Sequence, residues 1–208
     1  MARYHKIDTC NQDNGEGMRT VIWMSGCEHH CKACFSPQTW HPESGMEFKF
    51  DAYHELMAGL REKACDGLTL LGGEPLAEYN LELSTHLAKE AKEMGKTVWC
   101  YSGYTYEEIK DLEVMKYIDV LVDGRFILSK FNPNLKWRGS ANQRVIDVVA
   151  TRKLNEYNIL GEPVIVLHKD NNMVSKYQPE LAFNPCEGMT WEEIKHKYID
   201  NACKMGER

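Results

Sequence analysis

Cys27, Cys31 and Cys34 are separated by three and two intervening residues within Met24-Ser25-Gly26-Cys27-Glu28-His29-His30-Cys31-Lys32-Ala33-Cys34-Phe35. Three thiolates on a loop this short, entered through a glycine, can wrap a compact inorganic core. Soft sulfur ligands select zinc, cuprous copper or iron–sulfur clusters. A structural zinc site closes with four ligands and an ordinary cluster with four cysteines, whereas this loop carries three. A cubane [4Fe-4S] cluster on Cys27, Cys31 and Cys34 would keep one iron open for an exogenous ligand, and an open iron on a low-potential cluster is a reaction site. A zinc knuckle completed by His29 or His30 is the competing reading. A disulfide framework fits poorly, because Cys10, Cys65, Cys100, Cys186 and Cys203 are scattered singly rather than densely spaced.

Two further stretches bear on that chemistry. Gly72-Gly73-Glu74-Pro75 follows an apolar run, and its paired glycines let the backbone approach a ligand such as an ammonium group closely. Ser102-Gly103-Tyr104 ends another apolar run; it reads either as a ligand contact or as a strand-to-helix turn. Asp123 and Arg125 terminate a fourth run, where charged groups could meet a cofactor or a partner.

The elements that position these residues alternate regularly. Thr20–Met24, Gly67–Leu71, Lys96–Tyr101 and Ile118–Val122 read as buried strands. Amphipathic helices are predicted from about Phe50 to Ala64, Asn80 to Met94 and Thr105 to Lys116, the last opened by a Thr105/Glu108 capping box. The opening segment is polar up to a turn-rich patch at Asn14–Arg19, and no element is assigned to it. Right-handed crossovers would make the strands parallel, with a last strand near Arg144–Val149. The units are too few for a closed eightfold barrel, so the expected fold is α/β, a partial, open β/α barrel over residues 1–149. Residues 150–208 form a C-terminal extension of unassigned role, with a strand expected at Pro163–Leu167 and a helix from Thr190 to Met205 begun by a Thr190/Glu193 capping box.

The chain has 208 residues, 43% of them hydrophobic, and a formal net charge of −6. That suits one domain with a substantial core plus a tail. The acidic balance argues against a nucleic-acid surface. No apolar run approaches the roughly 20 residues that span a bilayer, and no secretory core follows Met1; the expected compartment is the cytoplasm.

The Cys-x3-Cys-x2-Cys pattern followed by Phe35 resembles the signature of radical S-adenosylmethionine (SAM) enzymes. In that family the open iron chelates the amino and carboxylate groups of SAM, and a Gly-Gly-Glu-Pro or Gly-Gly-Asp-Pro segment holds the amino group. The resemblance assigns Phe35, Gly72, Gly73, Glu74, Pro75, Ser102 and Gly103 to cofactor binding and no residue beyond cluster and SAM to catalysis. Asn14-Gly15-Glu16-Gly17, Thr39-Trp40, Trp99–Tyr104, Val122–Phe126 and Trp137-Arg138-Gly139-Ser140-Ala141-Asn142-Gln143-Arg144 narrow it further. Together they resemble the activating enzymes of anaerobic (class III) ribonucleotide reductase. Glu16, Phe35 and Glu74 stand where that family commonly has proline, tyrosine and aspartate. The resemblance implies an oxidoreductase whose 5′-deoxyadenosyl radical takes a Cα hydrogen from a glycine of the reductase large subunit, with a flavodoxin-like electron donor. Another glycyl-radical enzyme or a small molecule is the alternative target, and a non-enzymatic zinc module the alternative class.

Overall fold

A computed structural model describes residues 2–156, 164–171, 190 and 193. In chain order its elements begin with β1 (Arg3–Asn11), β2 (Arg19–Met24), β3 (Met46–Glu47), α1 (Phe50–Arg61) and β4 (Gly67–Gly72). They continue with α2 (Glu78–Glu93), β5 (Thr97–Tyr101), α3 (Tyr106–Ile109), β6 (Val120–Asp123), β7 (Arg144–Asp147) and α4 (Val148–Glu156). The strands form one open seven-stranded sheet in the order β3-β1-β2-β4-β5-β6-β7. Its centre, β2-β4-β5-β6, is parallel, and its two margins are antiparallel.

The apolar runs form this centre because both of their faces are covered. Cross-strand register aligns Ile22, Leu70, Cys100, Leu121 and Ile146 in one row, and all five are fully buried. This row faces Leu56, Leu60, Leu87 and Ala91 of α1 and α2 in the main core. Each large aliphatic side chain there contributes about 1.5–3 kcal/mol by leaving water. The alternate row, Thr69, Trp99 and Val120, lies on the opposite face, where Trp99, Val120, Val122 and Val145 form a second cluster with Tyr101 and Trp137 against it. Arg19 is fully buried beside Trp99, its guanidinium donating to Thr69 Oγ1, Leu68 O and Thr97 O.

Several expectations change. The polar opening segment is strand β1, paired antiparallel with β2; only Tyr4 and Ile7 of it are buried, so it lacks the alternation that marks a strand. The helix expected from Thr105 to Lys116 is one α turn followed by a 3-10 turn at Glu113–Lys116, although the Thr105/Glu108 capping box is formed. The strand β7 runs antiparallel to β6, because the link between them holds a 3-10 turn at Leu128–Lys130 and a Phe131–Ser140 bridge rather than a crossover helix. After it α4 runs across residue 149, the expected boundary between the barrel and its C-terminal extension. Of the strand expected at Pro163–Leu167, Leu167 makes a single bridge with Ile146, while Pro163 lies outside the described residues. Thr190 and Glu193 bond to each other as expected of a capping box; the rest of that helix, Cys186 and Cys203 lie outside the described residues. No helix among the described residues is long and apolar enough to cross a membrane.

Candidate metal centre

The parallel strands all end on one side, and the segments that leave them share a cavity of about 520 Å3. The cysteine loop enters from β2, Gly72–Glu74 from β4, Ser102-Gly103 from β5 and Gly124–Phe126 from β6. Cys27, Cys31, Cys34, Phe35, Gly72, Gly73, Glu74, Ser102 and Gly103 all line it. Pro75 does not; its carbonyl turns away to accept the Ser84 hydroxyl at 2.6 Å.

The loop is pinned at its start. Gly26 N–H donates to Thr39 O at 2.6 Å and Cys27 N–H to Trp40 O at 2.9 Å. Between the cysteines His30 and Ala33 adopt left-handed φ values of 44° and 59°, a conformation that costs a non-glycine residue about 1–3 kcal/mol and persists only where neighbours enforce it. Gly26 turns at φ 90° with Tyr79 packed so close that a Cβ would sit 2.4 Å from its ring.

Ser36 N–H donates to Cys34 Sγ across 3.3 Å, and the amides of His29 and His30 act to lower the Cys27 thiol and that of Phe126 the Cys31 thiol. Burial pushes the Cys27 thiol up to about 11, with the Glu74 charge adding to it and the two amides opposing; burial also raises Cys31. A bound cationic centre deprotonates a coordinating thiol, and amides aimed at cluster sulfurs are a recognised means of tuning such groups. Among the described residues no three His, Cys, Asp or Glu side chains converge as ligands of a single ion. Three cysteine sulfurs lining one broad cavity are the donor set that an iron–sulfur cluster takes.

Glu74, fully buried, holds the neighbouring loops together. Its Oε1 accepts Ser102 Oγ at 2.9 Å and Leu76 N–H at 3.0 Å. Its Oε2 accepts Gly103 N–H at 2.7 Å and pairs with His29 Nε2 at 2.8 Å. The Glu74 carboxylate is thus committed to the protein itself. The His29 ring also lies edge-on to Tyr104, 4.6 Å between centroids, and so near Gly103 that a Cβ there would meet it at 2.1 Å. Residue type alone suggests for His29, as for His30, only the fourth ligand of a zinc site; nothing in its spacing points to the pairing with Glu74.

Phe35 packs on Phe126 and Phe131, with ring centroids 5.2 and 5.8 Å away. Asp123 is buried, accepting Tyr106 N–H at 2.8 Å and the Arg144 guanidinium, so it braces the end of β6 rather than facing the cavity. Arg125 does line the cavity, and its charge acts to lower the Cys31 thiol. The far wall comes from Leu135, Trp137, Arg138, Gly139 and Gln143. Trp137 has a left-handed φ of 65°.

Residues 13–146 match the sequence model of a family described as "4Fe-4S single cluster domain". The anaerobic ribonucleoside-triphosphate reductase-activating protein of Enterobacteria phage T4 is 39% identical over 145 residues, which are 68% of this chain and 92% of that protein. The protein of the same name from Vibrio cholerae is 38% identical over 146 residues, 67% of this chain and 94% of the relative. That from Escherichia coli K12 is 34% identical over 150 residues, 68% of this chain and 96% of the relative. With a matching domain over most of the chain and relatives aligned along nearly their whole length, this chain belongs to the family of anaerobic ribonucleoside-triphosphate reductase-activating proteins.

Proposed function

We propose that this chain is a radical SAM activase that installs a glycyl radical in an anaerobic ribonucleotide reductase. The observation that carries the reading is the sharing of one cavity by three cysteine sulfurs and the Gly72–Glu74 and Ser102-Gly103 turns, all at the carboxyl ends of parallel strands, where open α/β sheets bind ligands.

In this reading Cys27, Cys31 and Cys34 hold a [4Fe-4S] cluster with one open iron, and SAM occupies the space beside it. A reduced cluster held there would supply one electron for cleavage of SAM into methionine and a 5′-deoxyadenosyl radical, which would take a Cα hydrogen from a reductase glycine to leave deoxyadenosine and a stored glycyl radical. The protein's own part is to bind, orient and exclude water. Because the Glu74 carboxylate is saturated by its four partners, recognition of the SAM ammonium falls to the backbone of Gly72, Gly73, Glu74 and Pro75, while the carboxylate fixes where that backbone lies. Ser102 and Gly103 complete this wall, and Phe35 bounds the cluster side. Residues 1–149 are then a radical SAM partial barrel, residues 150–208 an extension added to it. The target is a glycine loop of the reductase large subunit, named for the relatives' partner; the electron donor is a flavodoxin-like protein; and the chemistry belongs in an anaerobic cytoplasm.

Anaerobic reconstitution with iron and sulfide, reduction, and addition of SAM tests the proposal. Deoxyadenosine, together with a glycyl-radical EPR signal when the reductase large subunit is present, is the expected result. Deoxyadenosine without the glycyl signal would return the target to another enzyme or a small molecule. A protein that takes up zinc alone and cleaves no SAM would overturn the reading.

A further inference from the structure

The family match ends at residue 146, yet a later segment reaches back to the cavity. Residues 164–171 cross the tryptophan-lined face of the sheet, with His168 on Trp99 at 5.4 Å and Trp99 in turn on Trp137 at 5.6 Å. Asp170 and Asn171 at its end are buried, 2% and 5% exposed, although neither lies in a strand or helix. Buried polar side chains are expected to have partners, and here those partners include two cavity-wall residues, Trp137 and Arg138. Asp170 Oδ2 accepts the Trp137 indole N–H at 3.0 Å and the Lys136 ammonium at 2.8 Å. Asn171 Oδ1 accepts Arg138 Nη1 at 3.2 Å and Val145 N–H at 2.8 Å, and the Asn171 carbonyl accepts Arg138 Nη2.

These contacts meet two features of the wall that need outside support. The left-handed backbone at Trp137 is unfavourable for a bulky residue and has to be held from around it. The Arg138 guanidinium donates to neutral oxygens, those of Gln143 and Asn171, and forms no ion pair with a carboxylate among the described residues. The guanidinium thus brings a positive charge to the cavity lining that no carboxylate among the described residues neutralises.

We infer that Asp170 and Asn171 are positioning residues, by which the chain beyond the matched domain sets Trp137 and Arg138 in the cavity wall to meet the carboxylate of a bound ligand. The ligand identity rests on the SAM reading above; the positioning does not.

The test uses the full chain carrying Asp170→Ala, Asn171→Ala or the conservative Asp170→Asn, with two readouts. The first is backbone hydrogen exchange of the protein as purified. Residues 135–145 are expected to exchange about tenfold faster in the alanine variants, the loss of one hydrogen bond to a charged group, while β4 and β5 stay unchanged and Asp170→Asn falls between. The second is SAM dependence after reconstitution: KM for SAM rises about tenfold by the same loss, with kcat within about threefold and iron content unchanged. Unaltered exchange at 135–145 overturns the inference. So does a rise spread evenly over the sheet with a lower Tm, which would assign the pair to general stability, and so does local loosening with KM unmoved. A wild-type protein that cleaves no SAM, while the variants still loosen 135–145 alone, upholds the positioning pair and overturns the SAM reading instead.

Discussion

His29 Nε2 and Glu74 Oε2 lie 2.8 Å apart with both side chains almost wholly buried, joining the middle of the cysteine loop to the turn that ends β4. Since the same carboxylate also receives Ser102 and Gly103, three strand ends share one anchor. The cavity geometry thus depends on a group that takes no part in the chemistry proposed for it. The two ends of this pair are 45 residues apart in sequence.

Replacing Glu74 by alanine would strand several buried donors at once. Each costs about 1–3 kcal/mol, and loss of one member of a buried pair about 3–5 kcal/mol. The expected outcome is a destabilisation of at least about 3 kcal/mol in urea unfolding, with reduced iron retention after reconstitution. Ser102→Ala removes one donor to the carboxylate and the acceptor of Tyr104 N–H but leaves the carboxylate its other partners, so its cost should stay at about 1–2 kcal/mol. Equal effects from the two variants would show that Glu74 is not the anchor.

Iron content separates the cysteines by position. Cys27→Ser, Cys31→Ser and Cys34→Ser should each lose most of the reconstituted iron and its brown absorbance. Cys10→Ser should keep both, since Cys10 is exposed on β1, away from the cavity lining. Retention of iron in any of the three loop variants would contradict the assigned ligand set.

What could be read from residue types alone follows from where the physics is local. Strands β2, β4, β5 and β6 are buried on both faces and so appear as continuous apolar runs, which located the ends that build the cavity. In β1 two buried residues among polar ones leave no periodic trace, and a two-residue β3 has no pattern at all. The direction of β7 depends on what fills the connection before it, and the distant partners of Asp170, 33 and 34 residues away, depend on the folded path. His29 shows the same limit within the site: its residue type is visible beside the cysteines, but its role is set by Glu74.

Glycine is required at Gly73 for a steric reason distinct from backbone freedom. A Cβ there would lie 2.2 Å from Gly26 O and 2.8 Å from Gly26 C, and those atoms are main chain at the entry to the cysteine loop. Glu74 N–H also donates to that carbonyl at 2.7 Å, so the loop cannot retreat without losing a bond. Gly73→Ala should cost about 1–3 kcal/mol, as overpacking does, and lower iron uptake. Gly95→Ala is the contrasting control: no atom lies within 4 Å of its Cβ, but φ is +73°, so it should cost stability about 1 kcal/mol while leaving iron uptake intact. Iron loss in both variants would point to global unfolding rather than to the contact at Gly26.

The pH dependence of stability offers a test of the Asp170 contacts that needs no ligand. Burial works to raise the Asp170 carboxyl, but the bonds from Lys136 and Trp137 outweigh it and hold the group below its ordinary 3.8. A carboxyl whose folded value is depressed stabilises the native state at every pH above the unfolded value, and that contribution fades as the pH falls through the lower folded value. The difference in unfolding free energy between the wild-type protein and Asp170→Asn should therefore be level from about pH 8 to pH 5. It should shrink once the pH drops below the ordinary 3.8, because the wild-type carboxyl then becomes protonated and resembles the amide in charge. Urea unfolding at a series of pH values measures this directly. A difference that persists undiminished to about pH 2 would mean that the charge on Asp170 contributes nothing, and that its grip on Lys136 and Trp137 comes from shape and neutral hydrogen bonding alone.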